Sequence, residues 1–414
     1  MSDRIAAAER TQGAILSRLV PLCLLIFIDA MGFAMIAPIL AAHPLSRVPA
    51  VQAILYGVAI GIYPLATFFA APILGALSDQ IGRLPVMLLC GTGLIVSYAA
   101  IALGLALGAA SIVILGRLVG GLTAATQAVA LAALGDAGES AGRDGRLNAG
   151  LFASSLGFVC GPALSGSLSG IGSFADQVAP LAAIVLLAAV TLVWLKASHP
   201  AAPRRMSGAA VSLPESCRRS IRDLGRSVAA PRLRRLSLIF LLQQLGWGAF
   251  FFFIAPLLLA RLEFSGRAAS FYMALLGIGF CLSFAIAMPL LRRFFPVRAI
   301  AVAGMGVTTL GVGAAALARQ PAAQWLLALP VATAVAAAYG AIIMLFTREA
   351  AQNQGEILGV TASINALAFG LTSIASGVIA ALGATAPIVC AAILMAGATV
   401  LLVINPASNE GATS

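Results

Sequence analysis

The sequence predicts an all-α membrane protein of twelve spanning helices, divided into two pseudo-symmetric six-helix bundles. Three observations carry this expectation. Of the 414 residues, 61% are hydrophobic and only 9% charged, whereas a soluble domain is nearer half apolar and a quarter charged. Apolar runs of about 20 residues, long enough to cross a hydrocarbon core as helices, recur along the whole chain. One long polar stretch near the middle then separates them six and six. A β-barrel is excluded, because its strands would alternate apolar and polar residues over about ten positions.

The runs fall at roughly 19–42, 51–77, 84–107, 111–134, 147–170, 177–197, 236–260, 268–291, 297–318, 323–346, 356–382 and 385–405. The first is too long for the apolar core of a cleavable signal peptide, and no small-residue cleavage site follows it, so it is expected to be the first span. The polar stretch 198–235 contains SHPAAPRRMSGAAVSLPESCRRSIRDLGRSVAAPRLRR. Its Pro, Ser and Arg content reads as a cytoplasmic linker with a short amphipathic helix on the membrane surface. That places an N-terminal bundle at 1–197 and a C-terminal bundle at 236–414.

A net charge of +11 would fit nucleic acid, but its distribution fits a membrane. With the N-terminus inside and the helices alternating, about 20 of the 25 Lys and Arg fall in cytoplasmic segments and about four outside. This is the asymmetry that sets membrane orientation and places basic residues beside anionic headgroups. No nucleic-acid partner is needed. The protein is expected to be a monomer in the cell inner membrane, with both termini cytoplasmic. Cys23, Cys90, Cys160, Cys217, Cys281 and Cys390 are scattered without a CxxC pair or metal-ligand spacing, and read as small buried hydrophobes. No metal or other cofactor is expected. His43 and His199 fall near helix ends, away from mid-membrane.

The first span holds the outlier. Residues 27–40 read FIDAMGFAMIAPIL, and every other Asp or Glu of the 14 falls in a tail, in a connection or, for Glu356, at the very edge of a run. A charged Asp in mid-membrane costs about 2.5–3.5 kcal/mol on insertion scales, so Asp29 must be protonated, paired or functional. The one intramembrane cation is Arg117 in the fourth span. At 1.5 Å per residue Asp29 lies about 15 Å from the inner edge and Arg117 about 9 Å from the outer one. In a core of about 30 Å their depths differ by roughly 6 Å, within reach of an arginine. The pair reads either as a structural salt bridge or as a functional site, and retention of a lone acid and a lone base favours function. The seventh span carries LGWGAFFFFIAPLL. Aligned on the shared IAP, it puts Trp247 opposite Asp29 and Pro256 opposite Pro38, a weak internal repeat of the kind found in paired six-helix transporters.

Three further stretches carry a family resemblance. GALSDQIGR (75–83), between the second and third spans, has Gly75, Asp79, Gly82 and Arg83 at set spacing. LGRLVGGLTAATQAVA (115–130) contains Arg117, and GFVCGPALSG (157–166) supplies Gly157, Gly161, Pro162 and Gly166. In this order and in these helices they resemble the signatures of the major facilitator superfamily. The first half looks most like its tetracycline-exporter-type, twelve-helix drug:proton antiporters, and the second half is similar mainly in topology. The resemblance implies the major facilitator fold, with 75–83 as a cytoplasmic gate and 157–166 as a kinked hinge facing the second half. Physically, Gly75 permits close helix approach, Asp79 and Arg83 can pair with neighbouring helices, and Pro162 frees a carbonyl. The alternatives are a solvated loop and an ordinary packing face. LGDAGESAGRDGR (134–146) resembles the family's next cytoplasmic connection, where Asp136, Glu139, Arg143 and Arg146 bridge to Arg83 or Asp79, or simply form a wet loop.

The sequence also departs from that group. Gln80 and Leu84 stand where further basic residues are common. Ser97 and Thr308 or Thr309 replace acids of the third and ninth helices, and the eighth helix has no histidine. These departures argue against tetracycline as substrate and against a multi-acid relay. Polar and aromatic residues within spans are the candidates for a substrate cavity: Tyr63, Gln127, Asn148, Gln243, Gln244, Trp247, Tyr272, Tyr339 and Asn365. The rings of Phe250–Phe253 must point to every side of their helix, so some are expected to face lipid. The function so implied is alternating-access transport of small amphipathic molecules, as proton-coupled export with Asp29 and Arg117 as the coupling pair. The alternative is an importer or facilitator of a siderophore complex or other metabolite in the same fold. Walker loop, HExxH and nucleophile-elbow patterns are missing from the sequence, which argues against an enzyme.

Overall fold

The computed structural model describes residues 2–137, 143–168, 175–198, 231–349 and 354–404. It forms twelve helices long and apolar enough to cross a membrane. A helix satisfies its own backbone hydrogen bonds, which hydrocarbon cannot do, and that requirement sets the architecture. They are α1 (Ser2–Ala42, its apolar part Leu19–Ala42), α2 (Pro49–Ile81), α3 (Arg83–Leu107), α4 (Ala110–Asp136), α5 (Arg143–Leu168) and α6 (Ala175–Ser198) in the first half of the sequence. The second half gives α7 (Pro231–Leu262), α8 (Gly266–Phe294), α9 (Val297–Leu317), α10 (Pro321–Glu349), α11 (Gln354–Ala380) and α12 (Ala386–Ile404). The expected linker lies outside the described residues from 199 to 230, and Cys217 with it.

Packing repeats between the halves. In the first, α1 packs on α5 and α6 while α3 packs on α4 and α6; in the second, α7 packs on α11 and α12 while α9 packs on α10 and α12. Adding six to each helix number converts one set into the other, a structural repeat far clearer than the shared IAP. The described chain forms two compact units. One comprises Met1–Arg47, Ile62–Cys217 and Gly266–Ala274, and the other Val48–Gly61, Arg218–Ser265 and Leu275–Ser414. Helices α2 and α8 are therefore each divided, at Gly61/Ile62 and Ala274/Leu275.

Small residues bring the helices together. In the first unit, a Cβ on Gly157 would stand 2.9 Å from both Ala30 Cβ and Met31 N, and one on Gly161 would collide with the Met31 carbonyl. In the second unit, Gly57 lies against Gly377 and the Ser373 carbonyl, and Gly61 against the Gly370 carbonyl. Such backbone approach supplies the dispersion contact that holds helices together where the hydrophobic effect is weak. Leu25, Ile26, Val86, Met87, Val129 and Leu134 fill the inner core of the first unit around these seams.

Two helices are irregular. Helix α4 breaks between Leu122 and Thr126. The Thr123 hydroxyl donates to the carbonyls of Val119 (2.9 Å) and Gly120 (3.2 Å), competing with the helical ladder. Helix α8 widens into a π turn at Ser283–Ala287. Pro289 follows it and has no N–H for the carbonyl of Ala285, so the turn opens there.

The Phe250–Phe253 rings correct one expectation. All four are buried, the most exposed being Phe251 at 7%, and none faces lipid. Helix α7 is the central helix of its unit, covered by α10, α11 and α12. The first half of α2 adds Tyr56, whose hydroxyl donates to the Phe252 carbonyl at 2.5 Å and whose ring meets Phe253 edge-on.

Candidate substrate and proton-coupling site

Asp29 lies on α1 within the first unit and is part-exposed. Around it the chain assembles two phenols and a guanidinium. Arg117, on the first segment of α4, is 1% exposed, and its guanidinium carbon stands 4.4 Å from the centroid of the Tyr63 ring. The glycines one turn further along α4 make this possible: Gly120 lies against Tyr63 Cδ2, and Gly121 against the Tyr63 backbone. Tyr63 also meets Phe33, one turn beyond Asp29 on α1, at 5.6 Å between ring centroids. Tyr98 of α3 presses its hydroxyl against Gly32. Both phenols lie within electrostatic reach of both Asp29 and Arg117. The ion pairs found among the described residues both centre on Arg83 and do not include Asp29. Tyr98 is a member that sequence reasoning missed; only its position in VSYAAIA beside Ser97 pointed to it.

Where α2 meets α3, Ser78, Asp79 and Asp136 cluster around Arg83. Its Nη1 lies 2.5 Å from Asp79 Oδ1 and donates to Ser78 Oγ at 2.7 Å, while Nε donates to Asp136 Oδ2 at 3.2 Å. Ser78 in turn donates to the Gly75 carbonyl. Gly82 has φ 97°, a left-handed conformation that favours glycine, and so turns the chain between the helices. One reading needs correction. No described heavy atom beyond its own helix lies within 4 Å of where a Gly75 Cβ would stand, so its small size serves no close approach here. Arg146 donates from Nε to the Leu134 carbonyl at the end of α4, at 2.9 Å. Of the expected bridges, Asp136 makes one to Arg83; Glu139 and the Arg143 side chain lie outside the described residues.

The glycines of 157–166 have two different neighbours. Gly157 and Gly161 face α1 along Phe27–Met31, the stretch that carries Asp29, rather than the second half. Gly166 faces Arg267 and Ser270 of α8, as expected, and Ser165 and Ser270 hydroxyls lie 3.4 Å apart. Pro162 sits inside α5, where it has no N–H for the Phe158 carbonyl.

The remaining cavity candidates separate by burial. Gln127 and Asn365 are part-buried and Asn148 is exposed. Gln243, Gln244, Trp247 and Tyr272 are buried. Neither end of the Gln243 amide finds a hydrogen-bond partner among the described residues. Trp247 is ringed by Phe250, Phe251 and Phe280 at 5.4–5.7 Å, and Tyr339 meets Phe240 at 5.7 Å. The second unit thus offers aromatic faces and an amide, and the first an acid and a base.

Twelve apolar helices in a repeated six-helix packing scheme, with ionisable residues deep in one half, define a multi-pass membrane transport protein. The chain belongs to the Major Facilitator Superfamily, whose model matches residues 22–373. It is 32% identical over 292 residues to the class C tetracycline resistance protein of Escherichia coli, covering 69% of each chain. It is 36% identical over 180 residues to the class G tetracycline resistance protein of Vibrio anguillarum, where the match spans only 42% of this chain and 44% of the relative. Among solved structures, a D-xylose-proton symporter superposes with a TM-score of 0.74 at 14% identity, covering 97% of this chain and 99% of that one. The last likeness is one of fold.

Proposed function

We propose that this transporter exports small amphipathic molecules across the inner membrane in exchange for protons, by alternating access between bundles 1–197 and 236–414. The observation that supports it most is the placement of Asp29. It is a carboxyl within a span, gathered with Tyr63, Tyr98 and Arg117 in one unit. An intramembrane carboxyl for which a nearby cation competes is one that can exchange a proton as its surroundings change through the cycle. The tetracycline resistance proteins to which the chain is similar favour export of an amphipathic compound. Aromatic faces beside an amide in the second unit suit such a molecule. Thr308 and Thr309, which stand where the resemblance puts a further acid, direct their hydroxyls to the carbonyls of Gly304 and Met305. Asp29 is then the single proton carrier.

The test is proton-gradient-driven uptake of ethidium and of tetracycline into inverted vesicles, with thermal stability recorded on the same samples. Asp29→Asn keeps size and hydrogen bonding but cannot change charge. It is expected to bind and to exchange downhill, and to lose accumulation against a gradient. Full accumulation by a folded Asp29→Asn protein overturns proton coupling at this residue. Equal, gradient-independent uptake by the parent protein favours the facilitator reading.

A further inference from the structure

We propose that Tyr63 is a positioning residue for the coupling pair, holding the Arg117 guanidinium on its ring while Asp29 carries a proton. This rests on the reading of Asp29 and Arg117 as that pair and assigns Tyr63 a part in it other than touching substrate. The geometry gives three reasons. The guanidinium carbon lies 4.4 Å from the ring centroid, close enough for the ring's negative face to compete for a cation in a site with little water. Tyr63 is held from two sides, by α4, where Gly120 meets its ring and Gly121 its backbone, and by Phe33 of α1 against the ring. Phe33 is one turn from Asp29, so the ring that holds the cation stands beside the acid's own helix.

Among the described residues, α3 brings Tyr98 and Cys90 toward Asp29 and α4 brings Arg117, while α6 carries its Lys196 only in its last turn. Arg117 is the cation among these groups that can approach the carboxylate once its proton has gone. A π face and a carboxylate are then alternative partners for one guanidinium. Loss of the proton from the Asp29 carboxyl to water draws Arg117 off the ring, and its return releases Arg117 to the ring. The movement of a side chain on α4 is thereby tied to the charge of one on α1.

The test reads the protonation of Asp29 itself and needs no substrate. Infrared difference spectra of the purified transporter in lipid nanodiscs are titrated, and the protonated-carboxyl band of Asp29 is assigned by its loss in Asp29→Asn. Tyr63→Phe keeps the ring and is expected to keep the midpoint. Tyr63→Leu removes the ring's hold on Arg117, shifting the balance toward the carboxylate, and is expected to move the midpoint to lower pH by about one unit, a tenfold change. Should Tyr63→Leu not fold, phenylalanine bearing one to three ring fluorines at position 63 weakens the negative face without changing shape. The midpoint is then expected to fall stepwise with each fluorine. A midpoint indifferent to leucine or fluorine at position 63 overturns the role of Tyr63 and leaves the coupling pair standing. A titrating band that Asp29→Asn does not remove overturns the coupling reading, and this one with it.

Discussion

A single methyl group on Gly161 should loosen the helix that carries Asp29. The three heavy atoms nearest to a Cβ built there are the carbonyl oxygen, carbonyl carbon and Cα of Met31, the last two at 3.0 and 3.2 Å. All are backbone, so no rotamer change makes room, and α5 must move away from α1. Overpacking of this kind costs about 1–3 kcal/mol, and a rigid neighbour places Gly161→Ala toward the upper end. Helix propensity offsets about 1 kcal/mol of that, leaving a net loss of roughly 1–2 kcal/mol. Gly313→Ala is the matched control: it is also within a helix, with nothing described within 4 Å of its Cβ, so only the propensity gain of about 1 kcal/mol remains. Thermal unfolding of purified protein, followed by loss of the monodisperse peak on gel filtration, compares the two with the parent. Gly161→Ala should unfold several degrees below the parent and Gly313→Ala at or above it. Equal stability of Gly161→Ala and Gly313→Ala would refute the backbone-contact argument.

The gate expected at 75–83 should respond mildly if the cluster around Arg83 forms it. Asp79 and Asp136 are both more than 60% exposed and share Arg83, so loss of one pair is worth no more than about 1 kcal/mol. Asp79→Asn should therefore raise thiol-probe access to inner-cavity cysteines by about fivefold at most, and unchanged access would remove Asp79 from the gate. Orientation is testable by reporter fusions at the N-terminus, at Arg218 and at the C-terminus, each expected to report the cytoplasm; one outside signal breaks the twelve-span alternation.

The spans were legible because hydrocarbon imposes a length and an apolar composition that any sequence must display. Asp79 and Arg83 were legible as pairing groups, since both stand in one short motif, but their partners were expected on neighbouring helices; Arg83 finds one there in Asp136 and another in Asp79, across the turn at Gly82. What escaped depends on contacts between segments far apart in the chain. Nothing in LTAATQ declares a helix break without proline; it follows from where the Thr123 hydroxyl points. The π turn had a visible cause in Pro289, yet a proline near a helix end more often terminates than widens it. The burial of Phe250–Phe253 came from α7 lying at the centre of its unit, which local pattern cannot state. Tyr98 escaped because its relation to Asp29 runs through Gly32, where a missing side chain admits its hydroxyl. Gly75 misled for the converse reason: a small residue signals that close approach is permitted, not that it occurs.

The divided helices bear on how the protein is made. The first six spans leave the ribosome before the rest, but their unit also includes Gly266–Ala274, and Ser165 meets Ser270 only after that piece is synthesised. The other unit likewise takes Val48–Gly61, inserted long before its remaining helices exist. Neither half can reach its final packing while alone in the membrane. Early spans must stay adjustable until the eighth has been inserted, and the two halves expressed from separate genes should mature only when made together.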